Sequence, residues 1–200
     1  MLKLSDLCKG YVDGGEFHPV LQGAELTLNQ GDQLALMGES GSGKSSLLNL
    51  LRATAADSSA WCPQQKGLVP SLSAFHNIYA GVLDQHSLFT NLLNFFWPQK
   101  AALEQVCAAS KALDISDLLE QKTAQLSGGQ QQRVAIARAL IQAKPIFIGD
   151  EPLSAVDEFM AAKILQQIIA QHQTSIVALH DVNLALQYCD RIIGIKDGEL

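Results

Sequence analysis

Gly38-Glu39-Ser40-Gly41-Ser42-Gly43-Lys44-Ser45-Ser46 follows a short apolar run, Gln33 to Met37, and leads into a segment of helix formers that reaches Arg52. The run has the character of a strand buried on both faces, and Ser45 to Arg52 is expected as a helix. Strand, glycine loop and helix in this order match Gly-x-x-x-x-Gly-Lys-Ser, a loop that cradles phosphate. Its glycines let successive backbone N–H groups turn inward around an anion, and the helix behind adds the positive end of its dipole. Lys44 is placed to reach the β- and γ-phosphates of a nucleotide such as ATP, and the Ser45 hydroxyl to hold Mg²⁺.

Working outward, apolar strands and helices alternate. Leu2 to Leu7 and Val20 to Leu28 read as half-buried strands on either side of a Gly14-Gly15 turn. Leu103, Val106, Cys107 and Ser110 share one helical face that Leu113 continues, and Arg133 to Gln142 reads as a helix ending before Pro145. Pro145 to Asp150, Ser175 to His180 and Ile192 to Ile195 read as strands, and Asp157 as the cap of a helix carrying Met160, Ile164, Ile168 and Ile169. This order implies an α/β fold with a mainly parallel sheet flanked by helices, in one domain over residues 1–200.

Composition removes several classes. A net charge of −6 with no basic stripe argues against nucleic acid as partner. With 48% hydrophobic and 17% charged residues the chain is not disordered. No run approaches the ~18–20 apolar residues of a membrane span. Met1-Leu-Lys-Leu-Ser-Asp lacks a signal-peptide pattern, so the chain is expected to stay in the cytosol. Cys8, Cys62, Cys107 and Cys189 have no metal-ligand spacing and read as free, mostly buried thiols. Low charge with a mean hydropathy of +0.11 suggests apolar surface not all buried within the chain.

A phosphate loop alone leaves kinases, GTPases and motor ATPases open. Ile146-Phe-Ile-Gly-Asp150-Glu151 narrows them: a hydrophobic strand ending in adjacent carboxylates lets Asp150 face Mg²⁺ while Glu151 polarises an attacking water. Leu126-Ser127-Gly128-Gly129-Gln130-Gln131-Gln132-Arg133 then offers a hydroxyl and exposed N–H groups before a helix, which is a second anion site.

That last stretch resembles the signature sequence of the ATP-binding cassette (ABC) ATPases, in the right order and distance from Asp150-Glu151. The resemblance implies a P-loop core with a helical signature subdomain at about residues 71–142. It also implies that two cassettes pair head to tail, the Ser127, Gly128, Gly129 and Gln130 loop of one completing the γ-phosphate site of the other. Gln64 resembles the glutamine that approaches Mg²⁺ and the attacking water, making Ser45, Gln64 and Asp150 the expected metal set. Ser154 to Asp157 looks like the loop that crosses the dimer interface, with Asp157 near nucleotide. His180 fits the histidine that contacts the γ-phosphate, and Tyr11 is similar in place to the aromatic that stacks on adenine. Glu151, His180, Lys44 and Gln64 form the expected catalytic set. The implied partners are a second copy of the chain, an integral-membrane permease and a substrate-binding protein, with the chain on the cytoplasmic face of the cell membrane.

The chain departs from that family in one place. Only 19 residues separate Lys44 from Gln64, so most of the usual antiparallel β-region is missing. It ends at Asp197-Gly198-Glu199-Leu200, so no regulatory C-terminal domain is expected. Six aromatics, Phe75, Tyr79, Phe89, Phe95, Phe96 and Trp97, crowd the stretch between Gln64 and Ser127. They read equally as a small helical core and as a docking surface for a permease. Leu68 to Ile78 and Ser87 to Pro98 look like the helical insert of phosphonate-importer ATPases. Export or lipoprotein release, a soluble non-transport cassette ATPase, and a regulator that barely hydrolyses ATP are the alternatives.

Overall fold

A computed structural model describes the backbone of residues 2–13 and 16–200, and side chains from Val20 onward except those of Gln22 and Ala24. Strands β1 (Leu2–Asp13) and β2 (Glu16–Leu28) pair antiparallel, Leu2 opposite Leu28. A second sheet holds β3 (Gln33–Met37), β4 (Ser59–Cys62), β5 (Ile146–Gly149), β6 (Thr174–Ala178) and β7 (Arg191–Gly194), all parallel, in the order β4-β5-β6-β3-β7. The strands predicted at Pro145, Ser175 and Ile192 are therefore present, with ends displaced by a residue or two.

Alternation along each strand divides the core between the two faces of this sheet. Leu34, Leu36, Ile148 and Ile176 pack against Leu47, Leu48 and Leu51 of helix α1 (Lys44–Thr54) and against Leu21, Leu26 and Leu28 of β2. Ala35, Phe147 and Val177 pack on the opposite side, with Val134, Ile136 and Ala137 of α5 (Gly128–Leu140) and Ile164, Leu165 and Ile168 of α6 (Glu158–Gln171). Each fully buried leucine contributes about 1.5–3 kcal/mol, so the helix behind the glycine loop is clamped to the sheet by its three leucines.

All the helices of α2 (Ala74–Tyr79), α3 (Leu88–Phe96), α4 (Lys100–Lys111) and α5 lie between β4 and β5 in sequence; α7 (Val182–Tyr188) joins β6 to β7. Between α1 and β4 only residues 55–58 intervene. Among the described residues β1 and β2 are thus the one antiparallel strand pair, beside two isolated bridges, as the short spacing predicted; the turn expected at Gly14-Gly15 lies outside the described residues.

Two expectations are corrected. On α4 the face turned inward carries Ala102, Val106, Ala109 and Ser110, whereas Leu103 is 41% exposed and Cys107 is also exposed. Small alanines let α4 approach α5 closely, and proximity outweighs side-chain size. The thiols are not mostly buried either: Cys62 is buried and Cys189 half-buried, while the side chain of Cys8 lies outside the described residues. Burial pushes the Cys62 thiol up to about 12 and that of Cys189 to about 11. The aromatic stretch, which read equally as core and as exposed surface, divides between the two. Phe75 and Tyr79 are core, but Phe89, Phe95, Phe96 and Trp97 are 45–78% exposed.

Candidate functional site

In a parallel sheet the carboxyl ends of all strands open on the same edge, which is where ligands bind. Gly38 follows β3, Gln64 follows β4, Asp150 and Glu151 follow β5, and His180 follows β6. The topology therefore delivers to one edge residues separated by more than a hundred positions in sequence.

The glycine loop takes its shape from close approach. A Cβ on Gly38 would lie 2.3 Å from the Ile195 carbonyl, and one on Gly43 only 2.9 Å from that of Val20. Gly43 caps α1 with φ 110° and no side-chain cap, leaving first-turn N–H groups for an anion. Val20, Ser40, Gly41, Gly43, Lys44, Ser45, Ser46, Gln64 and Glu151 surround a cleft of about 190 Å³. Glu39 and Ser42 line the adjoining cleft with Gly38 and Ile195. Lys44 is only 4% exposed; its Nζ donates to the carbonyls of Gly38 (2.8 Å) and Glu39 (2.9 Å) and lies 3.9 Å from the Glu151 carboxylate.

Glu151 is the point on which the site converges. His180 Nε2 lies 2.8 Å from its Oε1, and Gln64 Nε2 donates to Oε2 at 3.0 Å. Its backbone has φ 51°, a left-handed conformation that a non-glycine residue holds at a cost of about 1–3 kcal/mol. Such strain is common where a side chain must be aimed.

Its neighbour Asp150 sits in a different environment. It is 3% exposed, and burial raises its carboxyl above the usual range, with the nearby Glu151 charge acting the same way; a Ser45 hydrogen bond and Lys44 oppose them. Asp150 Oδ1 is buried without a hydrogen-bond partner, as is Ser42 Oγ. A buried carboxylate oxygen left unpaired beside a serine hydroxyl suits a Mg²⁺ shared with phosphate oxygens. Among the described residues no three His, Cys, Asp or Glu side chains gather into a metal cage, so such an ion would depend on the nucleotide for the rest of its ligands.

The remaining predicted residues lie elsewhere. Ser127 caps α5 in a capping box: its Oγ accepts from Gln130 N (3.3 Å), and Gln130 Oε1 accepts from Ser127 N (2.8 Å). A Ser127 hydroxyl so engaged keeps its proton to donate outward. A Cβ on Gly129 would meet the Ala155 carbonyl at 2.9 Å, so the signature loop rests on the Ser154–Asp157 loop. Asp157 caps α6 by accepting from Met160 N at 3.0 Å. Neither Ser127, Gly128, Gly129, Gln130 nor Asp157 lines the phosphate cleft of its own chain. The side chain of Tyr11, expected on adenine, lies outside the described residues.

Sequence reasoning missed several contacts. Gln132, buried in α5, donates to the Pro152 carbonyl at 2.7 Å. Arg138 Nη1 donates to the Gly67 carbonyl at 2.8 Å and Nη2 to that of Lys66, while Lys66 Nζ donates to the Gly128 carbonyl at 2.7 Å. Only a polar side chain on the inner face of a helix signals such contacts, and its partner carbonyl has no sequence signature.

Comparison with known proteins agrees with this geometry. Residues 21–154 match the ABC transporter family model. The phosphonates import ATP-binding protein PhnC of Pseudomonas fluorescens (strain Pf0-1) is 36% identical over 209 residues, spanning 90% of this chain and 78% of its own. The lipoprotein-releasing system ATP-binding protein LolD of Pseudomonas fluorescens (strain Pf-5) is 35% identical and covers 100% of this chain and 96% of its own. Among solved structures, the dimeric bacterial ABC transporter cassette MJ0796 superposes with a TM-score of 0.88 at 29% identity, over 100% of this chain and 96% of that one. The same cassette in a post-hydrolysis state with ADP and Pi gives 0.83 at 31% identity, with the same coverage.

Proposed function

The chain belongs to the ABC transporter family as an ATP-hydrolysing, ATP-binding subunit, and we propose that it works as a pair of identical chains beneath a permease on the cytoplasmic face of the membrane. The observation that carries the ATP-hydrolysing part of this reading is the convergence of Lys44, Gln64 and His180 on Glu151 at the mouth of the glycine loop.

ATP is the substrate. The Gly38–Ser46 loop seats its phosphates through backbone N–H groups, and Lys44 balances their charge. The three donors that converge on Glu151 are those that a γ-phosphate would draw to itself. Their transfer to the phosphate releases the carboxylate to orient a water in line and take up its proton. Mg²⁺, when bound, supplies neutralising charge on the phosphate oxygens, and Ser45, Asp150 and Gln64 are the residues that would hold it. His180 keeps the γ-phosphate in place as its bond breaks. The Ser127 loop of the second chain completes the site, because the chain's own Ser127 is capping α5 away from the cleft. Hydrolysis removes the group that bridges the two halves, and the difference in ATP affinity between open and closed pairs is the work delivered to the permease.

The exposed row on α3 supports docking of that permease. Relatives that import phosphonates favour import of phosphonate-type cargo with a substrate-binding protein, and the helical insert supports the same reading. The LolD match and a macrolide export relative, MacB of Vibrio parahaemolyticus at 32% identity, favour lipoprotein release or export as the second reading.

The test is Glu151→Gln. Steady-state hydrolysis is expected to fall by about a hundredfold or more while ATP affinity stays within a few fold. Turnover near the parent value would remove Glu151 from its role.

A further inference from the structure

The loop after Gln64 is fastened to both ends of α5. Near the C-terminal end, Arg138 donates to the backbone carbonyls of Lys66 and Gly67. At the N-terminal end, Lys66 Nζ reaches the carbonyl of Gly128, the first residue of the helix, at 2.7 Å. Ten residues of helix span about 15 Å, so Arg138, leaning back along the helix as its side chain must, and Lys66, extended forward, bridge the whole element between them. The same loop contacts Glu151 through Gln64, and α5 contacts the residue after Glu151 through Gln132.

The Lys66 contact is not explained as helix stabilisation. A cation at a helix N-terminus opposes the dipole by about 0.3–1 kcal/mol. What it does is place a positive charge, and a restraint, directly behind the Ser127–Gly129 loop.

We propose that Lys66 is a positioning residue: it holds the Ser127–Gly129 loop in register with Gln64, so that a phosphate read at one nucleotide site sets the pose of the loop presented to the other. The proposal rests on the paired-cassette reading above. A γ-phosphate that draws Gln64 away from Glu151 pulls on the loop containing Lys66, and Lys66 passes that displacement to Gly128. Arg138 provides the fixed end against which the loop pivots. Without the ammonium, only the Arg138 contacts near the far end of α5 still tie the two loops together, and a bound nucleotide prepares the surface that its partner needs less well.

The experiment uses the Glu151→Gln chain, in which ATP holds the pair closed, and measures ATP-dependent dimerisation by analytical ultracentrifugation. Lys66→Met in that background, which keeps the aliphatic stem, is expected to weaken dimerisation about tenfold, the worth of one charge-assisted hydrogen bond. Affinity of the dilute, monomeric chain for a fluorescent ATP analogue stays at the parent value, and Lys66→Arg, which also donates to a carbonyl, restores dimerisation. Unchanged dimerisation in Lys66→Met overturns the proposal, as does a Lys66→Arg chain as weak as Lys66→Met. If the Glu151→Gln parent itself stays monomeric with ATP, it is the paired-cassette reading that fails.

Discussion

Asp150 and Glu151 are identical in charge and adjacent in sequence, yet only one can serve as a water-activating base. Asp150 is nearly sealed from solvent, with one oxygen unpaired and its carboxyl raised by burial. Glu151 turns outward on a left-handed backbone to meet Gln64 and His180. The sign of the Asp150 shift has a measurable consequence. An acid whose folded-state value is raised above 3.8 binds its proton more tightly in the folded chain, so its contribution to stability is complete below that value and is lost as pH rises through the folded value. At neutral pH its charge therefore works against the fold. Asp150→Asn is expected to raise the thermal unfolding midpoint at pH 7 by a few degrees, with the gain shrinking toward pH 4, while hydrolysis is lost. Calorimetry across that pH range checks it, and a variant less stable than the parent at pH 7 would contradict the reading. A site residue retained despite destabilising the fold is what a stability–activity trade-off predicts.

Among the elements, α3 reverses the usual pattern. Its polar residues face inward: Asn94 is 3% exposed, donates to the Tyr79 hydroxyl at 2.8 Å and accepts from Gln99 N at 2.8 Å. Asn91 receives the Tyr79 hydroxyl proton at 3.1 Å and donates to the Leu83 carbonyl. Its apolar residues face outward, Leu88 at 88%, Phe89 at 78%, Leu92 at 60% and Phe96 at 60%, with Trp97 at 70% beyond its end. Hydrogen bonds rather than apolar burial fasten this helix. Asn94→Ala should therefore lower stability by about 1–3 kcal/mol by leaving Gln99 N without its acceptor and the Tyr79 oxygen without its donor, whereas Phe89→Ala should change it by less than about 0.5 kcal/mol. Urea denaturation of both variants decides between this account and an ordinary apolar interface. If the outward row receives a permease, Phe96→Asp with Trp97→Asp should release the chain from co-expressed permease membranes, with stability and basal hydrolysis retained; continued membrane association would return these residues to plain surface.

For the molecule as a whole, the site is divided. The glycine loop, Glu151 and His180 meet at the carboxyl edge of the parallel sheet, but the Ser127 loop sits at the start of α5 and does not line that cleft. Complementation measures this division: Lys44→Ala and Ser127→Arg chains, each inactive alone, should regain hydrolysis when mixed, since one wild-type glycine loop then faces one wild-type signature loop. No recovery would mean that each chain completes its own site. Much of this is legible in the sequence. The glycine loop is readable because phosphate binding requires glycines and a lysine at fixed spacing, and Asp150-Glu151 because a buried parallel strand is a continuous apolar run. Less legible was α4, where periodicity pointed to Leu103 and Cys107 but close approach to α5 selected alanines. Equally hidden were the Lys66, Gln132 and Arg138 contacts, whose partners are backbone carbonyls. The sequence by itself determined the order of strands and helices, the phosphate loop and the chemistry of its partners, because these follow from local spacing and backbone geometry. Only the tertiary structure decided that Gln64, Glu151 and His180 meet at one carboxylate, that α3 turns its apolar face outward, and that Ser127 stands apart from the cleft. Those outcomes depend on which strands lie side by side and which helix faces compete for the same core, and competition between distant segments leaves no mark on the spacing of either one.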